Sequence, residues 1–195
     1  MDWQWLALVV GGYLLGAVPF GLVVSRLAGA PDPRTAGSHN IGATNVARLA
    51  GKPAGIACLL LDVAKGALPT WLALVTHPAE PWQAALVGLA AFLGHLYPLY
   101  LGFKGGKGVA TALGVWLALS PSALVGILLV FGLVAWRTRY VSLASMSACT
   151  SAPLWLLLAK APPAQVALAA VMAALVIYRH RENIARLRAG RESRL

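Results

Sequence analysis

Several stretches of this chain run for about 20 residues with almost no charge, and that is the length that spans the hydrocarbon core of a bilayer. Such segments satisfy their own backbone hydrogen bonds as helices, so the sequence reads as an all-α integral membrane protein. Composition agrees: 59% of the residues are hydrophobic and only 11% are charged. The first apolar segment, Trp3 to Leu27, is too long for a signal-peptide core and is expected to be retained. Cys58 and Cys149 both lie in apolar surroundings, with no disulfide framework and no zinc-like spacing, and read as inert core residues.

Further apolar segments are expected at about Ala54 to Thr76, Trp82 to Leu101, Val141 to Leu158 and Ala164 to Tyr178. Between Gly108 and Trp136 the apolar run is divided by Ser120-Pro121-Ser122, where Pro121 suits a first helical turn and Ser120 its cap. This region is expected to cross twice, which gives about seven transmembrane helices joined by short polar loops. Arg26, Arg34, Arg48, Lys52, Lys104, Lys107, Arg137, Arg139 and the arginines from Arg179 to Arg194 then fall on one side, with Lys160 on the other. By the positive-inside rule the basic side is cytoplasmic, the N-terminus lies outside and the C-terminal tail inside. The net charge of +10 is thereby accounted for by a cationic membrane face that attracts anionic lipid and substrates, without nucleic acid as a partner.

Three polar stretches on that face carry the chemistry. In Gly37-Ser38-His39-Asn40-Ile41-Gly42-Ala43-Thr44-Asn45-Val46-Ala47-Arg48, hydrogen-bonding side chains and glycines are followed by a guanidinium suited to phosphate, although an ordered turn is the competing reading. Gly102-Phe103-Lys104-Gly105-Gly106-Lys107-Gly108 combines glycines with two ammonium groups, as a phosphate-binding loop would, or as a flexible basic loop would. It matches neither a Walker loop nor a dinucleotide fingerprint, because Leu101, Gly108 and Thr111 stand where those patterns need other residues. The third stretch is split between Arg139-Tyr140-Val141-Ser142-Leu143-Ala144-Ser145 and Arg179-His180-Arg181-Glu182-Asn183; on helices, Ser142 pairs with Ser145 and His180 with Asn183.

Two groups lie at membrane depth. Asp62 and Lys65 share a helix face at a spacing of three, which predicts a buried ion pair. His95, inside an apolar segment, is a functional candidate by the cost of placing it there; a histidine satisfied by a backbone carbonyl is the alternative. The acids of the basic face, counted as Asp32, Asp62 and Glu182, are too few for a magnesium cage or a two-metal site, so no metal or other cofactor is expected. An anion held beside apolar helices suggests a substrate with a phosphate head and a lipid tail. A transporter of a small phosphorylated metabolite is the rival reading, but the motifs crowd one face and no internal repeat is visible.

Gly37-Ser38-x-Asn40-x-Gly42-Ala43-Thr44-Asn45-x-x-Arg48, Gly94-His95-x-x-Pro98 with Phe103-Lys104-Gly105-Gly106-Lys107-Gly108-Val109-Ala110-Thr111, and His180-x-x-Asn183-Ile184 together resemble the motifs of the bacterial acyl-phosphate:glycerol-3-phosphate acyltransferases. The resemblance covers nearly the whole chain and extends to Pro19-Phe20-Gly21, Leu61-Asp62-x-x-Lys65-Gly66 and Arg139-Tyr140-x-Ser142. It departs at His39, where that family commonly has glycine. It implies a single transmembrane acyltransferase domain over residues 1–195. The implied reaction moves a fatty acyl group from acyl phosphate to the 1-hydroxyl of glycerol 3-phosphate, forming lysophosphatidate and inorganic phosphate at the cytoplasmic face of the inner membrane. Functional coupling to the enzyme that makes acyl phosphate would follow.

By matching position, the resemblance assigns Ser38, Arg48, Lys107, Ser145, His180 and Asn183 to glycerol 3-phosphate. It assigns His95, Asn45 and the backbone at Gly42 and Ala43 to acyl phosphate. Asn40, Thr44, Gly105, Gly106 and Ser142 complete the expected substrate-binding set, with Lys104 as an additional phosphate ligand. No serine nucleophile is implied, since acyl phosphate is already activated. The hydroxyl proton goes either to His180 or to the donor's own phosphate, and the resemblance points to the second.

Overall fold

The computed structural model describes residues 3–194, and every regular element among them is helical. The first compact unit runs up to Ala118. It holds α1 (Trp3–Ala17), α2 (Phe20–Leu27), α3 (Ala43–Ala50), α4 (Lys52–Thr76), α5 (Pro81–Leu96), a 3₁₀ turn at Leu99–Leu101 and nearly all of α6 (Val109–Leu119). The second unit, from Leu119 onward, holds α7 (Pro121–Thr138), α8 (Val141–Leu158), α9 (Pro163–Arg179) and α10 (Arg181–Arg188).

All seven apolar segments of the sequence are helical. Five have the length and hydropathy to cross a membrane: Trp3–Leu27, α4, Pro81–Leu101, α7 and α8. The α9–α10 pair, bent by 57°, makes a sixth when taken as one span. The remaining segment, α6, has 11 residues. At 1.5 Å per residue it reaches roughly 16 Å, about half of a hydrocarbon core. Large apolar side chains that a water-soluble protein would hide are turned outward, among them Leu60, Leu68 and Trp71 on α4 and Leu129, Leu133 and Trp136 on α7. That pattern fits a chain whose solvent is lipid.

Inside the first unit, small residues let helix backbones touch, which is how helices associate where lipid removes the hydrophobic incentive. A Cβ at Gly16 would run into the Ala91 backbone, and one at Gly94 into the Tyr13 carbonyl, so α1 and α5 cross in direct contact. The Tyr13 hydroxyl also donates to the Tyr97 carbonyl at 2.8 Å. α4 receives α3 at Gly55 against Ala47, and α6 at Gly66 against Thr111. In the second unit, Gly126 of α7 lies flat against the Trp155 ring of α8.

Helix ends follow the proline logic of the sequence. Pro19 has no N–H to continue α1, and the chain turns there through a bond from the Phe20 N–H to the Val18 carbonyl at 3.0 Å. Pro121 opens α7 with Ser120 at its N-cap, as expected, but the Ser120 side chain makes no capping hydrogen bond.

Candidate functional site

The first polar stretch is a loop tied to the helix that follows it. Asn45, on the second residue past the start of α3 and 1% exposed, spends its whole amide on the loop. Its Oδ1 accepts from the Ser38 N–H at 2.8 Å, and its Nδ2 donates toward the carbonyls of Pro33, Ala36 and Asn40 at 3.0, 3.1 and 2.9 Å. Both amide hydrogens and one lone pair of the oxygen are thereby engaged in shaping the loop, a role beyond the substrate contact expected of Asn45. Gly37, at φ +64°, passes so close to Asn45 Oδ1 that a Cβ would collide with it.

Asn40 closes the same loop by accepting from the Gly42 N–H at 2.9 Å. That consumes the Gly42 donor expected to meet a ligand, and leaves the first-turn N–H groups of Ala43 and Thr44 as the donors at the start of α3. Ser38 is half-buried and Arg48, in the last turn of α3, is exposed; among the described residues the Ser38 hydroxyl has no hydrogen-bond partner and Arg48 no ion pair. His39 stands at φ +54°, in the left-handed region that favours glycine, and its Nδ1 lies 3.2 Å from the Arg34 carbonyl. Arg34 itself is held by Asp32, and hydrogen bonds from Arg34 keep the Asp32 carboxyl below its ordinary value.

The second stretch doubles back onto the end of α5. After Pro98 and the 3₁₀ turn, Gly105 and Gly106 donate their N–H groups to the carbonyls of Leu96 and His95 at 3.2 and 3.1 Å. The expected cradle of glycine N–H groups is corrected here, because these two point into the protein. The glycines serve close approach instead: a Cβ at Gly105 would strike the His95 carbonyl, and one at Gly106 the His95 imidazole. Beyond them Lys107 is half-buried, Lys104 is exposed, and Gly108, at φ +82°, leads into the N-terminus of α6, whose first-turn donors face outward from the helix end. His95 is 4% exposed, with Nδ1 3.7 Å from Asp62 Oδ1.

The third stretch lies in the second unit. Ser142 and Ser145 are both buried on the first turns of α8. His180 sits at the bend between α9 and α10, 3% exposed, with Nδ1 2.8 Å from the Val176 carbonyl. A carbonyl only accepts, so Nδ1 carries the hydrogen, and in the neutral ring Nε2 is the basic atom. Asn183, one turn into α10, donates from Nδ2 to Glu192 Oε1 at 2.6 Å, and Arg186 donates from Nε to Glu192 Oε2 at 2.7 Å.

Glu192 is the residue that sequence reasoning passed over; the count of acids on the basic face left it out. Its side chain is only 8% exposed in a tail dense with arginine. Burial opposes its ionisation, but the hydrogen bonds from Asn183 and Arg186 outweigh that and hold the carboxyl below its ordinary value. Arg194 closes the tail on Tyr140, donating to its hydroxyl at 3.1 Å with its guanidinium 5.2 Å from the ring centre. The signal available in the sequence was a lone carboxylate among arginines, nine residues after Asn183.

Fold and loops together define a polytopic helical membrane protein whose motif loops bring polar residues, helix N-termini and basic side chains into the same stretches of chain, a set suited to phosphorylated ligands. The family model described as glycerol-3-phosphate acyltransferase matches residues 6–190. Similar proteins of that description occur in Syntrophotalea carbinolica, 48% identical and covering 96% of this chain and 95% of its own, and in Aquifex aeolicus, 50% identical and covering 97% and 98%. Among solved structures, PlsY (YgiH), an integral membrane glycerol 3-phosphate acyltransferase, is similar in its glycerol 3-phosphate form with a TM-score of 0.94 and 48% identity, covering 98% of this chain and 96% of that one. Its lysophosphatidic acid form gives a TM-score of 0.91, covering 98% and 95%. The chain belongs to the glycerol-3-phosphate acyltransferase family.

Proposed function

We propose that this chain transfers a fatty acyl group from acyl phosphate to the 1-hydroxyl of glycerol 3-phosphate, giving lysophosphatidate and inorganic phosphate. The observation that carries the reading is the placement of family motifs at the starts of α3 and α6, whose first-turn N–H groups are donors for an anion, with Arg48 in the last turn of α3 and Lys107 just ahead of α6. Those are groups for phosphate, in a chain whose family acts on a glycerol phosphate.

The assignments follow the motifs. Ser38, Arg48 and Lys107 in the first unit, and Ser145, His180 and Asn183 in the second, serve glycerol 3-phosphate. The first-turn donors of Ala43 and Thr44, with His95 and the glycine loop it supports, serve the acyl phosphate, and Lys104 adds charge. Acyl phosphate is a mixed anhydride, so no covalent enzyme intermediate is required. The hydroxyl oxygen attacks the acyl carbonyl, the carbonyl–phosphate C–O bond breaks, and the proton passes to the departing phosphate. The protein contributes alignment and a field that stabilises the leaving dianion. His180, its ring fixed by the Val176 carbonyl, orients the attacking hydroxyl through Nε2.

The whole chain acts as one acyltransferase domain in the bacterial inner membrane, with its N-terminus outside and its basic motif face in the cytoplasm, where the enzyme that makes acyl phosphate would supply it. Purified protein in detergent, given acyl phosphate and glycerol 3-phosphate, is expected to release phosphate and form lysophosphatidate in equal amounts. Uptake of glycerol 3-phosphate into sealed liposomes without acyl transfer would overturn the reading in favour of a transporter.

A further inference from the structure

One charged cluster in the first unit takes no part in the reaction as described. Asp62 and Lys65, three apart on α4, are paired at 2.8 Å with side chains 2% and 1% exposed. The Lys65 ammonium has a second bond, to the Val18 carbonyl at 2.9 Å, and lies 5.6 Å from the Phe20 ring centre. Val18 is the residue whose carbonyl faces the Pro19 break. The same Asp62 oxygen that meets Lys65 faces His95 Nδ1 at 3.7 Å, while its other oxygen faces the Cys58 thiol at 3.7 Å. On the far edge of the imidazole, Nε2 lies against Gly106.

A buried ion pair is a weak way to stabilise a fold, because apolar residues of similar volume often do as well, and at membrane depth the cost is higher still. This pair stands one imidazole away from the glycine loop. We propose that Asp62 is a positioning residue for His95, fixing the ring beneath Gly106 and so setting the shape of the Gly105–Gly108 loop that receives the acyl phosphate. The last step rests on the assignment of that loop made above. At 3.7 Å the carboxylate acts on Nδ1 through its charge, which favours a proton on that nitrogen and leaves Nε2 toward the loop. Lys65 neutralises Asp62 and, through Val18, fixes the direction in which its carboxylate faces.

Asp62→Asn alone strands the Lys65 charge, so a loss of thermal stability is expected whatever the role. The decisive protein is Asp62→Asn/Lys65→Met, in which neither charge remains. Its melting temperature in detergent is expected within about 4 °C of the parent. Its KM for acyl phosphate is expected to stay raised about tenfold or more, with the KM for glycerol 3-phosphate within about twofold. His95→Gln should raise the same KM, and combining all three changes should add nothing further, since both routes lose one ring position. Parent values of both KM in the double variant, or additive effects with His95→Gln, would overturn the proposal. The same non-additive coupling in the KM for glycerol 3-phosphate would support the positioning role and overturn the loop's assignment to acyl phosphate. Should the double variant not fold, Asp62→Glu keeps the charge while moving the carboxylate by one methylene. It is expected to raise the acyl phosphate KM several-fold in a folded protein, and unchanged kinetics there would overturn the proposal.

Discussion

Arg48 stands exposed on the last turn of α3 with no ion pair among the described residues, so its guanidinium is available to an incoming phosphate. Arg48→Lys keeps the charge and loses the planar fork. A lost charged hydrogen bond is worth roughly 1.5–3 kcal/mol, so catalytic efficiency toward glycerol 3-phosphate is expected to fall about ten- to a hundredfold with thermal stability unchanged. Parent-like efficiency at subsaturating substrate would remove Arg48 from the site. His39 makes the opposite case. At φ +54° its side chain pays a left-handed backbone penalty that glycine does not, a physical reason for the glycine that the motif resemblance leads one to expect here. His39→Gly is expected to raise stability by up to about 1 kcal/mol, read as a higher melting temperature, with both KM values unchanged. Only part of this was legible in the residues. The i,i+3 spacing of Asp62 and Lys65 forecast their pairing, because both ends of that contact lie on one helix. The four bonds of Asn45 were not legible, since they depend on the path of a loop whose closure no periodicity encodes.

At the scale of elements, the apolar runs and their prolines located the helices well, because burial in lipid requires unbroken hydrogen bonding and proline interrupts it at a known place. What the runs could not show is how the polar ends are tied. α10 is a charged helix of eight residues, too short to persist on its own propensity. Its order comes from the tail, whose Glu192 bonds Asn183 and Arg186. Glu192→Gln is expected to cost about 1.5–3 kcal/mol at neutral pH and to lower catalytic efficiency through Asn183. The pH dependence has a definite sign. A carboxyl held below its ordinary value contributes stability above the unfolded value, near about 4.3, and loses it as pH falls through the folded value. The difference in melting temperature between parent and Glu192→Gln should therefore shrink on acidification below that range; a constant difference would count against the clamp.

For the molecule as a whole, charge alone leads one to expect the basic loops on a single side of the membrane, and accessibility tests that expectation. Cysteines at Thr35, Lys104 and Glu182, all exposed, are expected to react with an impermeant thiol reagent only from the cytoplasmic side, in a background lacking Cys58 and Cys149. Gly105, an obvious choice from sequence, is unsuitable because any side chain there strikes the His95 carbonyl. Labelling of any of the three from outside would invert the topology. Metal independence belongs to this scale too. Of the acids beside the motif loops, Asp32 is committed to Arg34, Asp62 to Lys65 and Glu192 to Asn183 and Arg186, which leaves the exposed Glu182, a single carboxylate where a metal cage needs several. Activity is expected to survive a strong chelator, and a loss reversed by magnesium would defeat that expectation.

The bond from Lys65 to the Val18 carbonyl also bears on how the chain enters the membrane. On insertion scales an aspartate or a lysine near the middle of a span costs roughly 2.5–3.5 kcal/mol, and α4 carries one of each. The counter-charge for each lies three residues away on the same helix, so the pair can form while α4 is still alone. The carbonyl that completes the lysine belongs to a segment made 47 residues earlier, already in the bilayer when α4 is handed over. The imidazole that faces the aspartate follows with α5. Synthesis in N-to-C order thus brings each partner to the lysine and then to the aspartate without leaving α4 to meet lipid with both charges bare.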